Sequence, residues 1–198
     1  MDEVAAQSFV IFLAGYETSA TTMTFAMYEL ALHPEVQQRL REEIKMVLAK
    51  HDDQFTYESL NEMKYMMQVI DETFRKHPPV TFITREAVAD YKIPDENLVL
   101  EKGTRMMIPI LGYHHDEEYY KNPTVFDPER FNDENRKKIH PFILGERFGL
   151  MQVQVGLASI LKSFKVTLNP KTEVPIKMHT NSILAAPEGG VWINVSKI

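Results

Sequence analysis

Residues 5–32 read AAQSFVIFLAGYETSATTMTFAMYELAL, and the interpretation of the rest of the chain depends on this stretch. Asp2 and Glu3 come just before it, where the helix macrodipole favours negative charge. Pro34 follows it and biases His33 out of the helical region. The pattern therefore predicts one helix from Ala5 to Leu32, which is long for a globular domain.

The first half of this predicted helix is apolar on every side. Residues 9–13 read FVIFL, so no face of the helix is polar there. We expect such a helix to cross a hydrophobic core. A membrane span is not expected, because the uninterrupted apolar run is short and Glu17 and several threonines follow it.

The middle of the helix is chemically unusual. Ala14 and Gly15 leave almost no side chain there, and glycine in a helix interior costs roughly 1 kcal/mol relative to alanine. Glu17 and Thr18 then place a carboxylate and a hydroxyl beside this bare backbone, where they could deliver protons to a flat ligand. The alternative is a helix crossing, in which small residues let another element approach, and the spacing alone favours this alternative.

Composition excludes several classes of function. The chain has 198 residues, a formal net charge of −6 and no cysteine. Its length suits one domain with a sizeable core, and no basic stripe indicates a nucleic-acid partner. Disulfides, thiolate metal ligands and cysteine nucleophiles are all excluded. We recognise no signal peptide or transmembrane run, so no membrane anchor is expected within this chain.

The remaining patterns predict a mainly α fold with a small antiparallel β-sheet (α+β). Helical spacing of apolar residues indicates helices over Pro34–Lys50, Met63–His77 and Arg147–Phe164, and a capped turn at Thr56–Leu60. Short strand-like runs lie between turn signals, and 114–130 is predicted as an irregular loop. The predicted strands are Val80–Ile83, Tyr91–Ile93, Leu98–Leu100, Thr104–Ile110 and Val191–Val195.

Two charged clusters are candidates for function. Glu72 and Arg75 are three residues apart on one helix and face the same way; they form either an ordinary surface pair or a buried pair that Arg130 completes. Residues 114–118 read HHDEE, but adjacent side chains splay apart, so no metal site is predicted there. Neither a Gly-x-Ser-x-Gly motif nor a phosphate-binding glycine loop is present.

Three motifs together resemble one family, the cytochromes P450, and within it the microsomal, insect detoxification type. AGYET at 14–18 is similar to the oxygen-activation motif of that family's long central helix. ETFR at 72–75 is similar to its Glu-x-x-Arg motif, and PERF at 128–131 to its Pro-Glu-Arg-Phe motif. Each motif is weak alone, but their order and spacing make the resemblance specific, and it covers nearly the whole chain.

The resemblance implies haem-thiolate monooxygenation: one oxygen atom enters an apolar substrate and the other leaves as water. A flavoprotein reductase at the endoplasmic reticulum membrane supplies the electrons. Ala14 and Gly15 would make room for dioxygen, while Glu17 and Thr18 would carry protons. Arg85 would anchor a haem propionate, and a buried Glu72, Arg75 and Arg130 triad would lock the core around the haem. The substrate-lining residues implied are Phe12, Val80, Thr81, Phe82, Ile83 and Ile183.

Two departures from the family pattern accompany the match. The chain corresponds to a C-terminal half of the family's fold, one partial domain over residues 1–198. The haem-ligand loop, Phe-x-x-Gly-x-Arg-x-Cys-x-Gly, has no counterpart: only FILGE at 142–146 separates IHP at 139–141 from RFGL at 147–150. Haem is expected from the family, but the axial cysteine is absent. His140 could in principle reach a haem iron, but an imidazole gives globin- or peroxidase-like ligation, and we do not expect it to replace the cysteine.

Two hypotheses follow for this chain. In the first, it descends from the family but is not competent as an enzyme, and the shortened loop should disturb the Glu72, Arg75 and Arg130 region. In the second, it is a non-catalytic interaction module that binds a partner through apolar surface.

Overall fold

The computed structural model describes residues 2–138, 147–182 and 184–198. Its longest element is α1 (Asp2–Leu32), which confirms the predicted helix and starts three residues earlier. The second half of α1 is buried, with Phe25, Ala26 and Leu30 fully inaccessible to solvent. This half packs against α2 (Pro34–Lys50), α4 (Lys64–Lys76), α6 (Arg147–Leu161) and β5 (Phe164–Leu168).

The first half of α1 does not cross a core, and that prediction is wrong. Phe9, Ile11 and Phe12 are 64 %, 72 % and 69 % exposed, and their neighbours Val10 and Leu13 are exposed as well. Burial along α1 begins only near Ser19, because the elements that pack on this helix meet its second half. An all-round apolar sequence shows that a helix can be buried, but it does not show that a neighbour is there to bury it.

The helices after α1 follow the predicted spacing closely. α2 buries Val36, Leu40, Ile44, Val47 and Leu48. The short helix α3 (Tyr57–Glu62) begins with a reciprocal capping box in which Thr56 and Ser59 each accept a hydrogen bond from the other's backbone amide. α4 ends at Lys76, one residue before the predicted end and just ahead of Pro78 and Pro79.

A buried carboxylate ties the end of α1 to the end of α4. Glu29 is fully buried, and its Oε1 accepts from Lys76 Nζ at 2.9 Å and His77 Nε2 at 2.6 Å. The His77 ring stacks on Phe25 with centroids 4.6 Å apart. Burial by itself raises the pKa of Glu29, but the hydrogen bond from His77 and the charge of Lys76 bring that pKa below its ordinary value.

The strands form three separate antiparallel pairs among the described residues, not one sheet. β1 (Ile83–Glu86) pairs with β4 (Arg105–Ile108), β2 (Tyr91–Lys92) with β3 (Val99–Leu100), and β5 with β6 (Ile193–Lys197). The predicted strand Val80–Ile83 begins only at Ile83, although Val80 forms an isolated bridge to Leu184. The predicted strand to Ile110 ends at Ile108, because Pro109 has no amide proton and begins α5 (Ile110–His114).

Helix α6 ends at Leu161, so Phe164 belongs to β5 and not to the helix as predicted. Arg41 binds the chain at this point: its Nε donates to Leu161 O at 3.1 Å and its Nη2 to Phe164 O at 3.2 Å. Gln37 lies beside it and bridges α1 to β5. Its Nε2 donates to Leu30 O and Val166 O, both at 2.9 Å, and its Oε1 accepts from Val166 N at 3.0 Å.

The fold class is therefore mainly helical with small antiparallel sheets. The core lies where α1, α2, α4 and α6 meet. Within the described residues, no helix combines the length and apolar character that crossing a bilayer requires. The most deeply buried core side chains are Leu30, Leu40, Ile44, Met63, Met66, Val69, Ile70, Leu157 and Leu161.

Candidate functional site

The Glu72 carboxylate is the centre of a buried charged cluster. Glu72 and Arg75 are both 0 % exposed. Arg75 Nε donates to Glu72 Oε2 at 2.7 Å and Arg75 Nη2 to Glu72 Oε1 at 2.8 Å, which is the two-pronged geometry that favours an arginine–carboxylate pair. Their three-residue spacing on α4 brings the two side chains to one face. Of the two alternatives, the buried pair is the one observed.

Arg130 completes this cluster from a 3₁₀ turn (Pro128–Phe131). Its Nε lies 3.4 Å from Glu72 Oε1, and its Nη2 donates to Asn122 O at 2.9 Å. Asp127 N also donates to Glu72 Oε1, at 2.9 Å, and fixes the start of the turn on α4. The three predicted residues are therefore together. The expectation that the shortened loop would disturb their region concerns residues 142–146, which lie outside the described residues, and stays a prediction. Among the described residues, the contacts of the cluster come from α4, α5 and 114–130.

Two further residues, His114 and Tyr120, support this cluster, and no sequence pattern indicates them. Arg75 Nη1 donates to His114 O at 2.9 Å, and the Arg75 guanidinium lies 5.4 Å from the Tyr120 ring centroid. Burial lowers the pKa of His114 to about 4, so the ring is neutral beside the arginine, and burial raises the pKa of Tyr120 to about 12. The residues of HHDEE therefore differ in burial: His114 is buried in the core, and Asp116 is exposed in the turn that follows.

The α1 motif lies in the exposed-to-half-buried part of that helix. Thr18 Oγ1 donates to Ala14 O at 2.7 Å, and Glu17 is half-buried one residue before it. A Cβ placed on Gly15 would meet nothing within 4 Å. Among the described residues, α6 packs on α1 but does not approach Gly15 closely, so Gly15 is not the point of a tight helix crossing. The closely packed glycine is Gly156 on α6, where an added Cβ would collide with the Met23 sulfur.

The other predicted residues lie on separate elements. Arg85 is exposed on β1, and its Nη1 donates to Thr84 O at 2.8 Å. Phe12 is exposed and stacks on Tyr16 with centroids 6.0 Å apart. Val80, Thr81 and Phe82 are half-buried in the link from α4 to β1, and Ile83 is half-buried at the start of β1. Leu111 N donates to Thr81 O at 3.0 Å. Ile183, His140 and the 142–146 loop lie outside the described residues.

A cytochrome P450 family model matches residues 1–194. The chain belongs to the cytochrome P450 family. Its relatives include the probable cytochromes P450 6a13 and 6a14 of Drosophila melanogaster, at 43% and 42% identity over 98% and 100% of this chain. Cytochrome P450 6B1 of Papilio polyxenes is 41% identical over 97% of it. The chain spans only 42%, 41% and 41% of these three cytochromes P450.

One of these alignments indicates that this chain has fewer residues than its relative within the matched region. The match to the probable cytochrome P450 6a14 takes in the whole chain and extends over 210 positions, although the chain has 198 residues. It therefore includes about 12 positions at which this cytochrome P450 chain has no residue.

The residues present do not fit the family's haem centre. Cytochromes P450 hold the haem iron through a cysteine thiolate, and the thiolate's electron donation favours O–O cleavage. No cysteine occurs anywhere in the 198 residues. No three histidine or acidic residues gather in a metal-binding arrangement within the described part of the chain. This cytochrome P450 chain therefore lacks the donor that the family's chemistry requires.

Proposed function

We propose that this chain is the C-terminal part of a haem-thiolate monooxygenase, one partial domain over residues 1–198, and that as written it oxidises nothing. The observation that carries the proposal is the absence of cysteine from a chain that matches the family over nearly its whole length. The order of the motifs, AGYET, then ETFR, then PERF, supports the C-terminal assignment.

We place the residues missing from the chain between Pro141 and Arg147. FILGE at 142–146 is too short for the family's cysteine loop, and the alignment to 210 positions supports an internal loss of about that size.

In a complete relative, the matched residues would take the family's roles. Ala14 and Gly15 would leave open space beside α1, and Glu17 and Thr18 would move protons there. Arg85 would pair with a propionate, while Phe12, residues 80–83 and Ile183 would line a pocket for an apolar substrate. The open space at Gly15 and the exposed Arg85 guanidinium support these assignments. We also propose that such a complete protein resides at the endoplasmic reticulum membrane and receives its electrons from a flavoprotein reductase.

The first test is spectroscopic. The chain is expressed with haem precursor, reduced and treated with carbon monoxide, beside full-length cytochrome P450 6B1 of Papilio polyxenes as the positive control. We expect no red-shifted Soret band of a thiolate-ligated ferrous carbonyl from this chain. The appearance of that band would overturn the proposal.

The second test reads the source transcript upstream of Met1 and through the codons for Pro141 to Arg147. A message that joins Phe142 to Glu146 as in this sequence supports a chain without the thiolate. A message that restores a cysteine loop would make the encoded protein an ordinary monooxygenase and would limit the proposal to the present sequence.

A second candidate function is a non-catalytic interaction module. The observation that favours it is the exposed apolar half of α1, with Val10 and Ile11 at 57 % and 72 % exposure. A soluble monomer that unfolds cooperatively would favour the module. Inclusion bodies or persistent chaperone binding would favour the incomplete enzyme.

A further inference from the structure

A cleft of about 600 Å³ lies beside α5, and its lining contains no residue of the α1 motif and none of Glu72, Arg75 and Arg130. Ile108, at the end of β4, Pro109 and Ile110 form its apolar floor. Ile110 is buried, so the floor is continuous with the packed interior. The volume lies within the range of about 300–1,000 Å³ that is usual for small-molecule sites.

Two tyrosine rings form the wall of this cleft. Tyr113 and Tyr119 have ring centroids 4.3 Å apart and planes inclined by 38°. The turn between them is tightly hydrogen bonded, with Asp116 N donating to Tyr113 O at 3.4 Å and Tyr119 N to Asp116 O at 3.2 Å. Tyr119 lines the cleft and is half exposed, so part of its side chain is accessible to solvent.

The charge of the lining is negative. Among the described residues that line the cleft, Asp116 is the one with a charged side chain. Its Oδ1 accepts from Glu118 N at 2.9 Å, which fixes the carboxylate in the turn. The neighbouring Glu117 and Glu118 are exposed, and burial lowers the pKa of His115, so that histidine is neutral at pH 7.

We propose that this cleft binds a small organic cation of the alkylammonium type. An ammonium group prefers the electron-rich face of an aromatic ring within about 6 Å of its centroid. Here the Tyr113 and Tyr119 rings supply such faces, Asp116 supplies the countercharge, and the apolar floor accepts the alkyl groups. The inference does not depend on the monooxygenase proposal, because no residue of the cleft belongs to the predicted haem or substrate set.

The test titrates the 198-residue chain with choline and, separately, with its neutral isostere 3,3-dimethylbutan-1-ol, and follows saturation-transfer NMR signals of the methyl groups. We expect choline to bind with a dissociation constant on the order of millimolar. The isostere should bind at least about fivefold more weakly, because it has the same shape and no charge. Equal binding of the two would overturn the proposal.

Paired variants locate the site. Asp116→Asn keeps an oxygen to accept from Glu118 N but removes the charge, and we expect choline affinity to fall about fivefold. Glu118→Gln is the matched control, since it removes a nearby exposed carboxylate that does not line the cleft, and it should leave affinity unchanged. Tyr119→Phe should retain binding, whereas Tyr119→Leu should weaken it.

Two further results would overturn the proposal. If Asp116→Asn and Glu118→Gln weaken choline equally, the effect is general surface charge and the cleft is not the site. If Tyr119→Leu retains full affinity while its circular dichroism matches the parent chain, the aromatic wall plays no part and the proposal fails.

Discussion

At the scale of single residues, Asp71 stands apart from its neighbour Glu72. Both carboxylates are buried on α4, but Glu72 is paired with Arg75, whereas Asp71 Oδ2 has no hydrogen bond and lies 3.4 Å from Arg136 Nη1. Burial raises the pKa of Asp71 to about 6, and the charge of Arg136 opposes this only in part. The folded state therefore holds a proton on Asp71 that the unfolded state releases near pH 4.

The stability effect of Asp71→Asn should consequently depend on pH. Because the folded pKa is raised, the carboxyl's favourable contribution is complete below about pH 4 and is lost as pH rises through 6. We expect the free energy of unfolding of Asp71→Asn, relative to the parent, to increase by about 3 kcal/mol between pH 4 and pH 7. Urea denaturation at pH 4, 5, 6 and 7 measures this difference.

The matched control is Asp133→Asn, whose side chain is 94% exposed. Its difference from the parent should stay flat across the same pH range. A flat difference for Asp71→Asn would show that its carboxyl is not desolvated in the folded state.

At the scale of elements, a carboxylate from another helix caps the N-terminus of α4. Glu43 of α2 accepts from Tyr65 N at 2.7 Å and from Met66 N at 2.8 Å, two of the amides that a helix start leaves without intrahelical partners. Burial raises the pKa of Glu43, while these two amides oppose that rise. The two hydrogen bonds to Glu43 therefore take the place of a local N-cap side chain, since the N-cap residue Met63 makes no capping hydrogen bond.

Removing this carboxylate should destabilise α4 from its first turn. We expect Glu43→Ala to lower the free energy of unfolding by about 2 kcal/mol, because two buried amides lose their acceptor. Glu42→Ala, which removes the adjacent exposed carboxylate, should change it by less than about 0.5 kcal/mol. Thermal and urea unfolding compare the two; equal losses would assign the effect to charge and not to capping.

The helices and strands differ in how well the sequence predicts them. The apolar spacing in α2, α4 and α6 and the capping pattern at Thr56 are local, so the helices and the α3 cap were predicted within a few residues. The strands were less certain, because β2 and β3 are two residues long and their pairing depends on distant partners. The cap from Glu43 to α4 could not be predicted, since it joins residues 22 apart across two helices.

The sequence likewise predicts only some residues of the candidate site. Glu72 and Arg75 are predicted because their spacing is local. Arg130 is a candidate because it is a second arginine in an irregular segment, and the Pro-Glu-Arg-Phe motif strengthens that prediction. His114 and Tyr120 were missed because nothing in a segment rich in Asp and Tyr distinguishes the ring that faces the core. Only the packing of that segment on α4 makes Tyr120 2% exposed.

At the scale of the whole molecule, the exposed half of α1 sets the solution behaviour. Exposed apolar patches of this extent mark interfaces or cause aggregation. We expect the chain to self-associate with rising concentration, and the double variant Phe9→Lys with Ile11→Lys to reduce that association. Sedimentation velocity at several concentrations measures the effect.

Met46→Lys is the control, because Met46 is 59 % exposed on α2, away from this surface. It should leave the association unchanged. Equal improvement from both changes would point to net charge as the cause, and no improvement from the double variant would place the contact elsewhere.

The bridge made by Gln37 has a consequence for the order of folding during synthesis. Its amide joins Leu30 to Val166, and the second of these contacts spans 129 positions along the chain. Contacts of such separation form late, because the intervening polypeptide must first be made and its loop closed. A nascent chain that ends after α4 therefore leaves the Gln37 side chain half satisfied. The remaining contacts of Gln37 form only after Val166 of β5 has been synthesised.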